Sequence, residues 1–250
     1  TYRTANQLGL TVKSTDSGNN LATGCAVADG HCTNYGDGTQ AFTRDQAVTM
    51  TASPVDALIC YTTSATVAPA CNAAKTDCAT GSTKYTAPVT VATDGAVIRA
   101  IACKPSAVDS VPFTHTLHFR VGTPTIAPDD LAVGVGGPPS IPWGQAETFD
   151  SITPAAGRSS NYTFGTNAQP GNPTCALPLP PTTKTGAGFV VNQTAGDQYF
   201  GKVIGCKTGY KESEVLSNWG YRIIVGAPTI LPPDSSLYNS FTSAAERPRL

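Results

Sequence analysis

Eight cysteines are the residues whose chemistry is most constrained: Cys25, Cys32, Cys60, Cys71, Cys78, Cys103, Cys175 and Cys206. An even number in a threonine-rich chain with one Met and 13% charged residues points to disulfides made in an oxidising compartment. Structural zinc needs paired Cys-x2-Cys or Cys/His knuckles, and the spacings here are wider. Among the histidines, His115 and His118 lie three apart on an expected strand, so they should face opposite ways and not chelate one metal together. His31 falls in the loop between Cys25 and Cys32. No Gly-x-Ser-x-Gly elbow offers a serine nucleophile, and glycoside hydrolysis asks for paired carboxylates across a cleft between large elements. Asp129-Asp130 could bridge a calcium ion, against the plainer reading of a solvated turn. Trp143 and Trp219 could stack on sugar, against the plainer reading of core or interface. Asn161-Tyr162-Thr163 and Asn192-Gln193-Thr194 have the form of N-glycosylation acceptors.

These residues are carried by a repeat. Ile101-Ala102-Cys103-Lys104 is echoed by Ile204-Gly205-Cys206-Lys207, and Val121-Gly122-Thr123-Pro124-Thr125-Ile126-Ala127-Pro128 by Val225-Gly226-Ala227-Pro228-Thr229-Ile230-Leu231-Pro232. An offset near a hundred residues marks tandem domains. Gln46-Ala47 and Gln145-Ala146, and Tyr61-Thr62 and Tyr162-Thr163, extend the match backwards. With 24 Gly, 20 Pro and no long helical pattern, each copy reads as short strands joined by turns. Strands are expected at 47–52, 57–63, 87–91, 96–103 and 113–121 in copy one. In copy two they are expected at 146–152, 162–164, 189–191, 199–206 and 219–225. Several strands at about ten-residue spacing describe an antiparallel sandwich. The expected organisation is an N-terminal segment over 1–40 with a local disulfide loop, repeats over 41–121 and 122–225, and a tail over 226–250. The net charge of −1 gives no reason to expect nucleic acid. No apolar run reaches the roughly 18 residues of a membrane span. Thr1 reads as the start of a mature or trimmed product.

The repeat also orders the cysteines. Cys103 and Cys206 are equivalent, and a shared Pro-x-Cys makes Cys71 equivalent to Cys175. Cys175–Cys206 and Cys71–Cys103 follow, leaving Cys60–Cys78 and the local Cys25–Cys32. Cys60–Cys103 with Cys71–Cys78 is the alternative in copy one. The same alignment puts Asn192 at a turn and Asn161 on a strand at the position of Cys60, so Asn192 is the more accessible sequon.

Three stretches carry a resemblance: Cys60-Tyr61-Thr62-Thr63, Ser82-Thr83-Lys84-Tyr85-Thr86-Ala87-Pro88-Val89-Thr90-Val91, and Ile98-Arg99-Ala100-Ile101-Ala102. Residues 41–121 resemble the small carboxy-terminal sandwich of chitobiase and β-hexosaminidase, and residues 122–225 match it weakly. The resemblance implies an all-β chain of tandem antiparallel immunoglobulin- or fibronectin-like sandwiches. It carries no glycosidase domain, so the expectation is a non-enzymatic extracellular or cell-surface structural or adhesive protein without cofactors. A carbohydrate-binding accessory module of a larger secreted glycoside hydrolase is the alternative.

One further expectation concerns assembly. Copy two opens with Pro124-Thr125-Ile126-x-Pro128, yet one period earlier Asn20-Leu21-Ala22-Thr23-Gly24 carries no such signature. At the other end Pro228, Thr229, Ile230, Leu231 and Pro232 form an opening signature with no domain after it. The tail of one chain would then complete the first sandwich of the next by strand addition, building a head-to-tail filament. The other reading is a tail that begins a third repeat of a longer chain.

Overall fold

The computed structural model describes residues 6–18, 20–25, 31–37, 39–127, 137–151, 157–177, 179, 182–186, 188–190 and 197–224. Among them there is no α-helix; one 3-10 turn, Leu21–Thr23, is the only helical piece. The other described residues are strand, turn and loop, in keeping with the β-branched, Gly- and Pro-rich composition.

The first unit holds β1 (Gly9–Lys13), β2 (Cys32–Asn34), β3 (Gln40–Phe42), β4 (Gln46–Ser53), β5 (Leu58–Thr62), β6 (Thr83–Lys84), β7 (Val89–Val91), β8 (Ala96–Cys103) and β9 (Phe113–Leu117). Two sheets, β1-β4-β7 and β6-β5-β8-β9, carry it, with β2-β3 as a hairpin. Alternation along the strands decides which side is wet. In β4, Val48, Met50 and Ala52 are buried between exposed Thr49, Thr51 and Ser53. In β8, Ile98, Ala100 and Ala102 point inward. One core joins residues of both sheets, from Val12, Val48 and Met50 to Ile59, Ile98 and Leu117.

The second unit repeats the plan with β10 (Pro124–Ala127), β11 (Ser140–Pro142), β12 (Ala146–Ser151), β13 (Ser159–Thr166), β14 (Lys184–Thr185), β15 (Gly188–Val190), β16 (Gln198–Cys206) and β17 (Leu216–Ile224). Its sheets are β10-β12-β15 and β11-β17-β16-β13-β14. Its core is aromatic: Tyr199, Trp219 and Tyr221 are buried, with Tyr162 and Phe164 packed against them. Trp219 is therefore a core residue, while Trp143 is 64% exposed.

The first unit does not lack its opening strand. β1 pairs antiparallel with β4, Leu10 opposite Ala52 and Val12 opposite Met50, as β10 pairs with β12. Leu10 and Pro124 are equivalent, 114 residues apart, so the strand lies outside the window where a strict period places it. The shift comes from the segment between β1 and β3, which is longer than the connection between β10 and β11. That segment is also more than a surface loop: Leu21 and Cys25 belong to the first core, and Asn20 caps the 3-10 turn by accepting from the Ala22 N–H at 2.9 Å. Buried Asp16 ties it down, accepting from Arg44 at 2.9 and 2.5 Å and from Gln46 at 2.7 Å. Burial opposes the Asp16 charge, yet these donors hold its pKa below the usual carboxylate range. The first unit thus takes in much of 1–40, and the place proposed for a donated strand is filled by β1. Pro228, Thr229, Ile230, Leu231 and Pro232 lie outside the described residues.

Candidate functional site: the joint between the two units

Each unit is stapled beneath the same turn. The disulfides are Cys71–Cys103 and Cys175–Cys206, the pairs that alignment of the two copies gives, and Cys60–Cys78 and Cys25–Cys32, the pairs it leaves. The alternative partner for Cys60 is out of register, because Leu58 stands opposite Cys103 on the β5–β8 ladder. The two bridges of the first unit touch, with Cys60 Sγ and Cys71 Sγ 3.4 Å apart. In the second unit Asn161 occupies the place of Cys60, opposite Ile204 where Cys60 is opposite Ile101. Its amide donates to the Thr174 carbonyl at 2.6 Å and accepts from the Thr185 hydroxyl at 2.8 Å. Asn161 is 4% exposed with both amide atoms engaged, so that sequon is closed in the folded chain.

The turn after each cysteine is built the same way. Ser110 Oγ accepts from the Ala102 N–H and donates to the Val111 carbonyl. Ser213 Oγ accepts from the Gly205 N–H and donates to the Glu214 carbonyl. A leading segment then lies parallel beside the turn. Val108 bonds Asn6 and Leu8 at 3.2 and 3.1 Å, and Lys211 bonds Phe119 and Val121 at 3.0 and 2.9 Å. At the second turn that segment serves both units, because Phe42 of β3 bonds His118 and Arg120 from the other side at 2.8 and 3.0 Å. One stretch of backbone, 118–121, is thus hydrogen-bonded to the unit before it and the unit after it.

Side chains lock this joint. Lys207 Nζ and the Tyr210 hydroxyl both donate to Asp45 Oδ1, at 2.7 and 2.6 Å. The Lys207 ammonium also lies 4.1 Å from the Tyr210 ring centre, and Tyr210 packs on Phe119. Hydrogen bonds from Lys207 and Tyr210 hold Asp45 below the usual carboxylate range, while burial and then Asp45 push the Tyr210 phenol well up. Arg120, 6% exposed, donates to the carbonyls of Glu212 and Asn34 and pairs with Glu214 at 2.6 Å. Lys211 Nζ donates to the Tyr35 carbonyl at 2.6 Å and sits over that ring. Asp94 accepts from the Tyr35 hydroxyl at 2.6 Å and from the Phe119 N–H at 2.9 Å. Gly209 presses on the first unit: it has φ +83°, and a Cβ there would meet the Ala92 carbonyl at 3.0 Å. The equivalent turn residue in the first unit is Ser106, with φ 60°.

None of these joint residues stands out by motif. The signal that could have found them is local: Lys207, Lys211, Glu212 and Glu214 crowd charge into one turn of a charge-poor chain. The strand argument for the histidines does not reach His118, because β9 ends at Leu117; His115 and His118 both line one cleft of about 230 Å³ with Thr116, Phe42 and Gln40. Burial, and then His118, lower the His115 pKa. Among the described residues no group of three or more His, Cys, Asp or Glu could hold a metal ion. No helix among them is long and apolar enough to cross a membrane. His31 is described beside Cys32, whereas Asn192, Asp129 and Asp130 lie outside the described residues. No protein-family model and no curated protein matches the chain.

Proposed function

We propose that this chain is a non-enzymatic extracellular structural or adhesive protein, built of tandem immunoglobulin- or fibronectin-like sandwiches of the chitobiase carboxy-terminal type. The observation that carries the reading is the joint. A linker bonded on both edges, a buried arginine and a lysine–tyrosine–aspartate cluster hold two disulfide-stapled units at one spacing and angle. Flexible accessory modules need no such lock, since inter-domain motion is the default for units joined by a small interface. A rigid spacer transmits position and force, the requirement of a surface or fibre component, and four disulfides suit that setting. Small-angle scattering of the full chain tests it: one fixed arrangement of the two units fits the curve, and a broad spread of inter-unit angles overturns the reading.

Exposed Trp143 favours the alternative, a carbohydrate-binding accessory module, because a free indole face can stack on a sugar ring. Pull-down on chitin and cellulose, with Trp143→Ala as control, separates the two. Retention that depends on Trp143 supports the accessory module.

A further inference from the structure

We propose that Cys78 is a site where a small external thiol enters the protein, and that the two bridges of the first unit form an exchange relay that passes the opened sulfur from Cys60 to Cys103. This goes beyond the rigid-spacer reading and does not depend on the joint. The observation that carries it is the contact between bridges. Cys60 Sγ lies 3.4 Å from Cys71 Sγ, although each is bonded to another partner. About 3–3.5 Å is the separation of a near-attack pair, and holding reactants there turns a bimolecular step into an internal one. The fold sets the contact. Cys71 and Cys78 stand opposite each other on an antiparallel bridge. The Asn72 N–H donates to the Asp77 carbonyl at 2.8 Å and the Ala79 N–H to the Ala70 carbonyl at 2.9 Å. Cys71 and Cys78 are therefore the non-hydrogen-bonded kind of pair, whose side chains lie closest. On the β5–β8 ladder Leu58 is opposite Cys103 and Cys60 opposite Ile101, so alternation puts Cys60 and Cys103 on one face. Two facing positions on a ribbon thus meet two positions on one sheet face.

Burial and charge give the relay a direction. Cys60 and Cys103 are 0% exposed, whereas Cys71 and Cys78 are partly exposed, so an incoming thiolate reaches only the latter two. Lys84 selects between them. It stands opposite Cys60 on the β5–β6 ladder, and among the described residues its ammonium has no partner. Lys104, beside Cys103, is paired with Asp56 at 2.7 Å. A cation next to a thiol lowers its pKa, and a thiol of lower pKa leaves faster. Attack on Cys78 Sγ, which releases Cys60, is therefore favoured over attack on Cys71 Sγ. The external thiolate bonds to Cys78 Sγ, the Cys60–Cys78 bond breaks, and the electron pair leaves on Cys60. The Cys60 thiolate attacks Cys71 Sγ, the Cys60–Cys71 bond forms, and the Cys71–Cys103 bond breaks with its electron pair on Cys103. Cys103 then attacks Cys78 Sγ and returns the external thiolate. The products are Cys60–Cys71 and Cys78–Cys103; nothing is oxidised or reduced, and the thiol is regenerated. The second unit has neither partner of the first step: Asn161 stands opposite Thr185 where Cys60 stands opposite Lys84.

Peptide mapping without reduction tests this on the full chain, after incubation at mildly alkaline pH, acid quench and N-ethylmaleimide labelling in denaturant. The wild type is given glutathione below one equivalent. The first adduct is glutathione on Cys78, followed by Cys60–Cys71 and Cys78–Cys103 peptides as glutathione is released, while Cys175–Cys206 is unchanged. A first adduct on Cys71, or an adduct on Cys78 with no rearranged peptide, overturns the proposal. Cys78→Ser leaves Cys60 as the odd thiol beside an intact bridge. Label then appears on Cys103 as well as on Cys60, in a fraction that grows with time, together with a Cys60–Cys71 peptide. Label confined to Cys60 at every time overturns the relay. Cys175→Ser controls for scrambling, since Cys206 has no second bridge in its unit and keeps all of the label. The wild-type arm carries no substitution, so the test stands even where Cys78→Ser fails to fold. Lys84 is exposed, so Lys84→Gln keeps the native near-ultraviolet dichroism and slows formation of the Cys78 adduct several-fold. An unchanged rate in Lys84→Gln overturns Cys78 as the favoured entry site.

Discussion

A single hydroxyl closes the turn at the end of the long central strand in each unit. Ser110 is 4% and Ser213 3% exposed, and each satisfies one buried N–H and one carbonyl at once. A buried donor stripped of its acceptor costs about 1–3 kcal/mol. Ser213→Ala should therefore destabilise the second unit by about that amount, read as a lower denaturant midpoint at unchanged slope. Ser110→Ala should act likewise on the first unit. Asn161 shows the same economy: where Cys60 makes a covalent bridge, an amide with two hydrogen bonds closes the equivalent gap. The substitution was visible in the aligned copies, but its meaning was not, because Asn161-Tyr162-Thr163 reads as an acceptor until burial shows it closed.

At the scale of strands, the two cores solve one register with opposite volumes. Ile98 faces His115 across β8–β9, and Gly201 faces Trp219 across β16–β17. The large residue has moved to the neighbouring strand, and the glycine makes room for it: a Cβ at Gly201 would overlap the Trp219 ring. Gly201→Ala should cost the second unit about 1–3 kcal/mol, the usual range for forced overpacking. The check is a thermal scan in which the second unit's transition falls and the first unit's does not. Cys175→Ala with Cys206→Ala should lower that same transition by about 2–4 kcal/mol, since the bridge restricts the unfolded loop. If the second transition stays put, the disulfide does not stabilise the unit. Strands and cysteine pairs were legible because their residue types recur in both copies. β1 was not assigned to the first repeat because the longer segment between β1 and β3 displaces it from the period. The exchange between Ile98–His115 and Gly201–Trp219 was illegible for a different reason. Each half looks like divergence, and only the paired register shows compensation.

At the scale of the whole chain, the joint is where pH should act. Its titratable groups are Asp45 with Lys207 and Tyr210, Asp94 with Tyr35 and His118, Arg120 with Glu214, and Lys211 over the Tyr35 ring. The Asp45 pKa is lowered in the folded state by its hydrogen bonds to Lys207 and Tyr210. Its contribution is present above the ordinary aspartate value of about 3.9 and is lost as pH falls through the lowered folded value. The Tyr210 phenol is raised by burial and by Asp45, and the Tyr35 phenol is raised chiefly by its bond to Asp94. Their contributions are present below the ordinary tyrosine value of about 10 and are lost as pH rises through the raised values. The two units should therefore stay locked across the neutral range and loosen at both extremes. Dyes placed one on each unit give the readout: transfer efficiency holds a plateau through neutral pH and changes on an acid and an alkaline limb. Asp45→Asn should remove most of the acid limb, because the neutral amide has no proton to gain, and Tyr210→Phe should shorten the alkaline one. Salt distinguishes this from simple unfolding. The Lys207–Asp45 pair has one partly exposed partner and is screened, so added salt should narrow the plateau while leaving the disulfide-stapled cores folded by far-ultraviolet dichroism. An acid limb that persists unchanged in Asp45→Asn would remove Asp45 as the residue that sets it.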